Sequence, residues 1–129
     1  MLREAPGGGP GDDAGGSSGP TVTEVLRAAL APLTARIDAA FIYGPLAKGA
    51  ATAHSDIEVM IIGRDVAYAD VIPQFIAAAK CIGRAINPSV YSTDEWKHKL
   101  AAGNRVLLAV LKQRKIFLIG TDDAIPRPR

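Results

Sequence analysis

The chain has 129 residues, 48% of them apolar and 22% charged, with a net charge of +2 and one cysteine. That is one domain's worth of sequence with ample apolar material for a core, and its charge excess is too small to argue for nucleic-acid binding, so direct contact with nucleic acid is not expected. No apolar run approaches the ~20 residues of a membrane span, Met1-Leu-Arg leads into Gly and Pro instead of an apolar signal core, and Cys81 alone can form no internal disulfide; a soluble, cytoplasmic protein is expected.

Residues 5–20 hold seven of the thirteen glycines and no residue able to anchor a core, so 1–20 is expected to be a disordered tail or linker. An ordered domain is expected over 21–120. Thr21-Val-Thr-Glu24 is a capping box, and Val22, Val25, Leu26, Ala29, Leu30 and Leu33 recur at helical spacing until Pro32 stops the helix near Ala31. Ala39–Tyr43, bounded by Asp38 and Gly44, is a buried strand; Glu58–Ile62 is a second. Leu46–His54 is an Ala-rich loop with one helical turn. Asp65 caps a long helix over Ala67–Cys81 that turns Val71, Phe75, Ile76, Ala79 and Ile82 inward, carries an awkward Pro73 and ends at Gly83. Arg84–Tyr91 is a third strand whose Pro88 demands an edge or a bulge. Ser92-Thr-Asp-Glu95 opens a helix that stops near Gly103. Leu107, Leu108, Val110 and Leu111 belong to a further helix, Ile116–Ile119 to a last strand, and 121–129 reads as a loose tail. Helices alternating with three or four short strands predict an α/β domain with a small mixed sheet covered by helices.

Chemistry concentrates where the first strand meets a glycine turn and the second opens on acids. Asp56 and Glu58 are spaced i, i+2, so both project from one face of the strand, the face that carries Met60 and Ile62 below them. Carboxylates at such a rim suit Mg²⁺, which takes oxygen ligands and commonly shares them with substrate phosphates. A glycine turn offers backbone N–H groups to the phosphates themselves. His54, next to the acids, reads chiefly as a surface histidine, and so does His98. Cys81 and Trp96 read as packing residues. Lys97, Lys99, Arg105, Lys112, Arg114, Lys115, Arg127 and Arg129 put eight of the fifteen basic residues in the last third, which reads as a solvated helical face.

Tyr43-Gly-Pro-Leu-Ala-Lys-Gly49, ten residues from Leu46 to Ser55, and then Asp56-Ile-Glu-Val59 together resemble the signature of the polymerase-beta-like nucleotidyltransferase superfamily. The closest likeness is to its small minimal domains, found as antitoxins or joined to winged-helix regulators. The resemblance implies the nucleotidyltransferase fold and transfer of a nucleoside monophosphate from a triphosphate, ATP first, to a hydroxyl on a protein or small molecule. It implies Asp56 and Glu58 as Mg²⁺ ligands and catalytic acids, with Gly44, Pro45, Lys48, Gly49 and Ser55 as the nucleotide-binding loop. It also implies a protein partner such as a toxin or a regulator.

Two residues depart from that pattern: Pro45 stands where serine is usual, and Glu58 where aspartate is commoner. Proline offers neither the hydroxyl nor the N–H of serine, and hydrogen bonds to charged groups are worth roughly 1.5–3 kcal/mol each. The third carboxylate of active relatives should fall on Arg84–Tyr91, which contains no acid; Asn87 can lend an oxygen but cannot act as a base. The alternative reading is therefore a weakened domain that binds nucleotide or a regulatory partner without transfer.

Overall fold

The computed structural model describes residues 21–52 and 54–128; the 1–20 segment read as a linker lies outside them. Thr21 caps α1 (Val22–Leu30) reciprocally, its Oγ1 accepting from Glu24 N at 3.1 Å while its own N–H donates to Glu24 Oε1 at 2.8 Å. Pro32 ends the α-helical pattern as expected, and the chain continues as a 3₁₀ turn over Ala31–Arg36. It then enters β1 (Ala39–Tyr43), β2 (Ile57–Ile62), α2 (Tyr68–Ile82), β3 (Ile86–Tyr91), α3 (Thr93–Ala101), α4 (Arg105–Lys112) and β4 (Ile116–Ile119).

The four strands form one mixed sheet in the order β3-β2-β1-β4. β1 is antiparallel to both β2 and β4, while β2 and β3 run parallel. Parallel neighbours need a crossover connection, and α2 supplies it. Pro88 sits on β3, an edge strand, where the proline's missing N–H breaks no second ladder; the irregularity in the sheet lies instead between Ala40 and Phe41, opposite β4.

Both faces of the sheet are covered, which is why β1 and β2 are apolar almost throughout. Ala40, Ile42, Ile57, Val59 and Ile61 pack with Leu26 and Leu30 of α1 and Val71, Phe75 and Ala78 of α2. Ala39, Phe41, Met60 and Ile62 pack on the other side with Trp96, Leu100, Leu107 and Val110 of α3 and α4.

Four expectations need correction. Ile76 is 54% exposed, because α2 turns the row Val71, Phe75 and Ala78 inward and leaves Ile76 outside it. Cys81 is exposed for the same reason, near the end of that helix. Asp65 is not the cap of α2: Ala67 holds that position, and Asp70 reaches back to accept its N–H at 2.9 Å and Arg36 Nη2 at 2.6 Å. Residues 121–128 are also not loose where they meet the core, since Ile125 is buried against the α3/α4 face and Trp96 Nε1 donates to the Pro126 carbonyl at 2.8 Å. Trp96, with no exposed surface, packs as read from the sequence. Among the described residues no helix is long and apolar enough to cross a membrane.

Candidate functional site

Alternation along β2 sends Val59 and Ile61 to one core and Met60 and Ile62 to the other, so Glu58 shares the Met60 face at the strand's first turn out of the core. Asp56, one residue ahead of β2, lies on the same side and is exposed; Glu58 is half-buried. The backbone delivering them is fixed from the side, because Arg84 donates both Nε and Nη2 to the Ser55 carbonyl, at 3.0 and 2.8 Å. Ser55 also steadies the preceding loop, its Oγ accepting the Thr52 N–H at 2.9 Å.

Parallel pairing sets Asn87 of β3 directly beside Glu58. The Asn87 amide nitrogen donates to Glu58 Oε2 at 3.0 Å and to Asp56 Oδ2 at 3.1 Å. Two carboxylates, one on β2 and one just ahead of it, thus converge on a single nitrogen. Two negative charges this close repel unless something positive lies between them, and the polarised N–H₂ group fills that role. The same pair of oxygens is the donor set a hard divalent cation takes. Among the described residues no group of three or more His, Cys, Asp or Glu side chains stands together for a metal, so a cation here would rest on two acids, the Asn87 oxygen after an amide turn, and ligands brought from outside.

Beside Glu58 on β1 is Tyr43. Burial pushes the pKa of its phenol above the usual value; the hydrogen bond with Ser89 opposes this, and the Glu58 charge adds to it. The phenol therefore stays protonated and serves as a neutral polar wall. After Tyr43 the chain turns at Gly44, whose φ of +78° is open to few residues but glycine. A Cβ at Gly44 would also stand 3.3 Å from Glu58 Cγ, so the backbone passes close against the acid.

Gly44 to Lys48 makes one helical turn, closed by Lys48 N to Gly44 O at 3.1 Å and Ala50 N to Pro45 O at 2.9 Å. Pro45 is the first residue of that turn, where φ near −65° suits it and where an N–H would have had no intrahelical acceptor. Proline thus fits the local structure while removing the donor that would have faced outward at the turn's start. The turn's end at Gly49 has φ +75° with open space around it, so backbone geometry, not crowding, requires glycine there. Lys48 is exposed on this turn and His54 is exposed in the loop beyond it.

The structure thus brings Asp56, Glu58 and Gly44 together, places Pro45, Lys48 and Gly49 on the adjoining turn, and puts Ser55 behind the acids. It adds residues the sequence did not flag. Gln113, between α4 and β4, accepts the Gly44 N–H on Oε1 at 3.2 Å, and Arg84 clamps Ser55. Both act across the fold, and neither belongs to a local motif. A hollow of about 380 Å³, bordered by Arg64, Ser92, Thr93, Asp94 and Lys97, sits beyond the opposite end of β2. The acids occupy an open rim, as a site for a charged, hydrated ligand requires.

No family model matches the sequence, and no curated protein matches it. Solved structures do resemble it. A crystal structure of a toxin–antitoxin with AMP-PNP superposes with a TM-score of 0.53 at 12% identity, covering 78% of this chain and 75% of that one. A mutant of the toxin–antitoxin MntA–HpeT, in which two aspartates two positions apart are replaced by glutamate, superposes with a TM-score of 0.51 at 11% identity, covering 81% and 76%. At such identities the likeness is one of fold. The chain has a nucleotidyltransferase-like α/β fold, a four-stranded mixed sheet between helices.

Proposed function

We propose that this domain binds a magnesium nucleoside triphosphate, ATP first, at the rim formed by Asp56, Glu58 and the Gly44–Gly49 turn, and transfers the nucleoside monophosphate to a hydroxyl of a protein or small-molecule acceptor. The observation that carries the reading is the convergence of Asp56 Oδ2 and Glu58 Oε2 on one nitrogen, at 3.1 and 3.0 Å, beside a positive-φ glycine. Asp56 and Glu58 would hold Mg²⁺, which supplies charge neutralisation to the phosphates. Glu58 carries one methylene more than aspartate, and its carboxylate still reaches the same point as that of Asp56. The fold likeness to a toxin–antitoxin structure containing AMP-PNP supports a nucleotide ligand, and a protein partner of toxin or regulator type.

Transfer joins the acceptor oxygen to the α-phosphorus, breaks the α–β anhydride and releases pyrophosphate; the acceptor's proton must go to a base. At the strand position facing both acids the chain has Asn87, which has no basic site. This favours a second reading, in which nucleotide is held and sensed, with transfer slow or absent, and the domain acts through its partner.

Calorimetric titration with ATP in the presence of Mg²⁺ tests the site. Binding by the unmutated chain and none by Asp56→Ala with Glu58→Ala is the expected result; no binding by the unmutated chain overturns both readings. Radiolabelled ATP added with a cell extract then separates them: a labelled acceptor supports transfer, and occupied protein without labelled product supports the second reading.

A further inference from the structure

We infer that Gln113 is a substrate-binding residue of this rim, its side-chain amide giving a nucleotide phosphate the hydrogen-bond donor that Pro45 cannot give; the inference rests on the nucleotide reading above. Gln113 is held at several points. Its N–H donates to the Val110 carbonyl at 3.1 Å as α4 ends, and its carbonyl accepts Lys115 Nζ at 3.0 Å. Lys115 also bonds the Leu111 carbonyl at 2.7 Å and lies 5.7 Å from the centre of the Phe41 ring, pinning the connection into β4 against the sheet. The side chain is tethered as well, because Oε1 accepts the Gly44 N–H at 3.2 Å.

An amide whose oxygen is anchored in this way has its nitrogen directed elsewhere, with two N–H donors to offer. Among the described residues they meet no hydrogen-bond acceptor, although the side chain is half-buried. They sit next to Gly44, whose backbone presses on Glu58, and on the side of the acids away from Asn87. Asn87 therefore satisfies the carboxylates from β3 while Gln113 presents donors from the β4 side. A neutral donor suits this position better than lysine, which would pair with Glu58 and compete with a cation for its oxygens. A partly desolvated N–H₂ beside a cation site is suited to a phosphate oxygen. The loop that lost a donor at Pro45 thus has one returned from across the fold.

The test is calorimetric titration of the full chain with Mg²⁺–AMP-PNP for the unmutated protein, Gln113→Ala and Gln113→Glu, each also titrated with Mg²⁺ alone. Glutamate keeps an acceptor for the Gly44 N–H, so the turn stays tethered, but it sets a negative charge where the donor was. AMP-PNP should bind both variants about tenfold to a hundredfold more weakly, the span of one lost charge-assisted hydrogen bond. Mg²⁺ binding by Gln113→Ala should hold, while Gln113→Glu, which brings a third carboxylate near the rim, should bind Mg²⁺ at least as tightly as the unmutated chain. Equal or tighter AMP-PNP binding by Gln113→Ala would mean that the side chain merely plugs the Gly44 N–H, and would overturn the inference alone. Absence of binding by the unmutated chain would instead remove the nucleotide reading on which it stands.

Discussion

Replacing Asn87 by aspartate changes one atom group and reverses the electrostatics of the rim. In the native chain one nitrogen donates to Asp56 and Glu58 at 3.1 and 3.0 Å. Hydrogen bonds to charged groups are worth about 1.5–3 kcal/mol when well shielded; Asp56 and Asn87 are exposed, so about 0.5 kcal/mol each is the fairer figure here. The new carboxylate would face two others at similar range, and unit charges 4 Å apart repel by about 1 kcal/mol in bulk water. Side chains can swing apart to relieve part of this. A net loss of about 1–2 kcal/mol follows for metal-free protein, a fall of roughly 4–10 °C in the unfolding midpoint for a domain of this size.

Mg²⁺ should reverse the sign, because three acids make a stronger cation site than two. At about 100 times its Kd, a ligand of the native state adds about 2.7 kcal/mol. Scanning calorimetry of Asn87→Asp in EDTA and in excess MgCl₂ should show a lower midpoint than the unmutated chain in the first and a larger Mg²⁺-induced rise in the second. An undiminished midpoint in EDTA would mean that the amide does not hold the two acids apart. A midpoint indifferent to Mg²⁺ would mean that the three oxygens cannot share a cation, and would sink the metal reading.

Gly44→Ala forces a side chain into a left-handed backbone and against Glu58, and should cost about 1–2 kcal/mol, read as a lower urea midpoint together with weaker Mg²⁺–ATP binding. Ile125→Ala removes a buried side chain from the α3/α4 core and should cost about 2–4 kcal/mol; fluorescence of the sole tryptophan, Trp96, reports the unfolding, and an unchanged midpoint would mean that the C-terminal segment does not belong to the core. The Asp70 carboxyl is held below its usual range chiefly by the Ala67 N–H, then by the Arg36 charge. Its contribution is therefore complete above an unfolded value of about 3.9 and is lost as pH falls from there toward the lower folded value. Asp70→Asn should flatten the loss of urea stability across that acid window, and an unaltered slope would refute the assignment.

Much of the architecture was legible because local signals agreed with the fold. The strands β1, β2 and β4 are apolar runs, and Thr21 and Ser92 cap helices through their own hydroxyls, Ser92 Oγ accepting the Glu95 N–H at 3.0 Å. The acids could be placed on one face from spacing alone. What spacing cannot carry is contact across the chain. Gln113 meets Gly44 from 69 residues away, and Arg84 meets the Ser55 carbonyl from 29. Ile125 lies among Asp and Pro residues that read as a loop, and only the buried Trp96 N–H, which needs an acceptor, hinted that something must cover it. The inner face of α2 was misread at Ile76 because Val71, Phe75 and Ala78 satisfy the helical repeat with a small residue where a larger one was expected.

β2 carries two cores and the acids on one alternating string of residues, with Glu58, Met60 and Ile62 on one side and Ile57, Val59 and Ile61 on the other. A slip of one position against β1 would drive Glu58 into the α1/α2 interior and turn Met60 away from Trp96, so any error of register is punished twice. The spacing of the acids cannot be tuned in single steps: they can shift along the strand only by pairs of residues. Engineered changes to the rim's reach must come instead from side-chain length, as the extra methylene of Glu58 already illustrates, or from the flanking turns that carry Gly44 and Gln113.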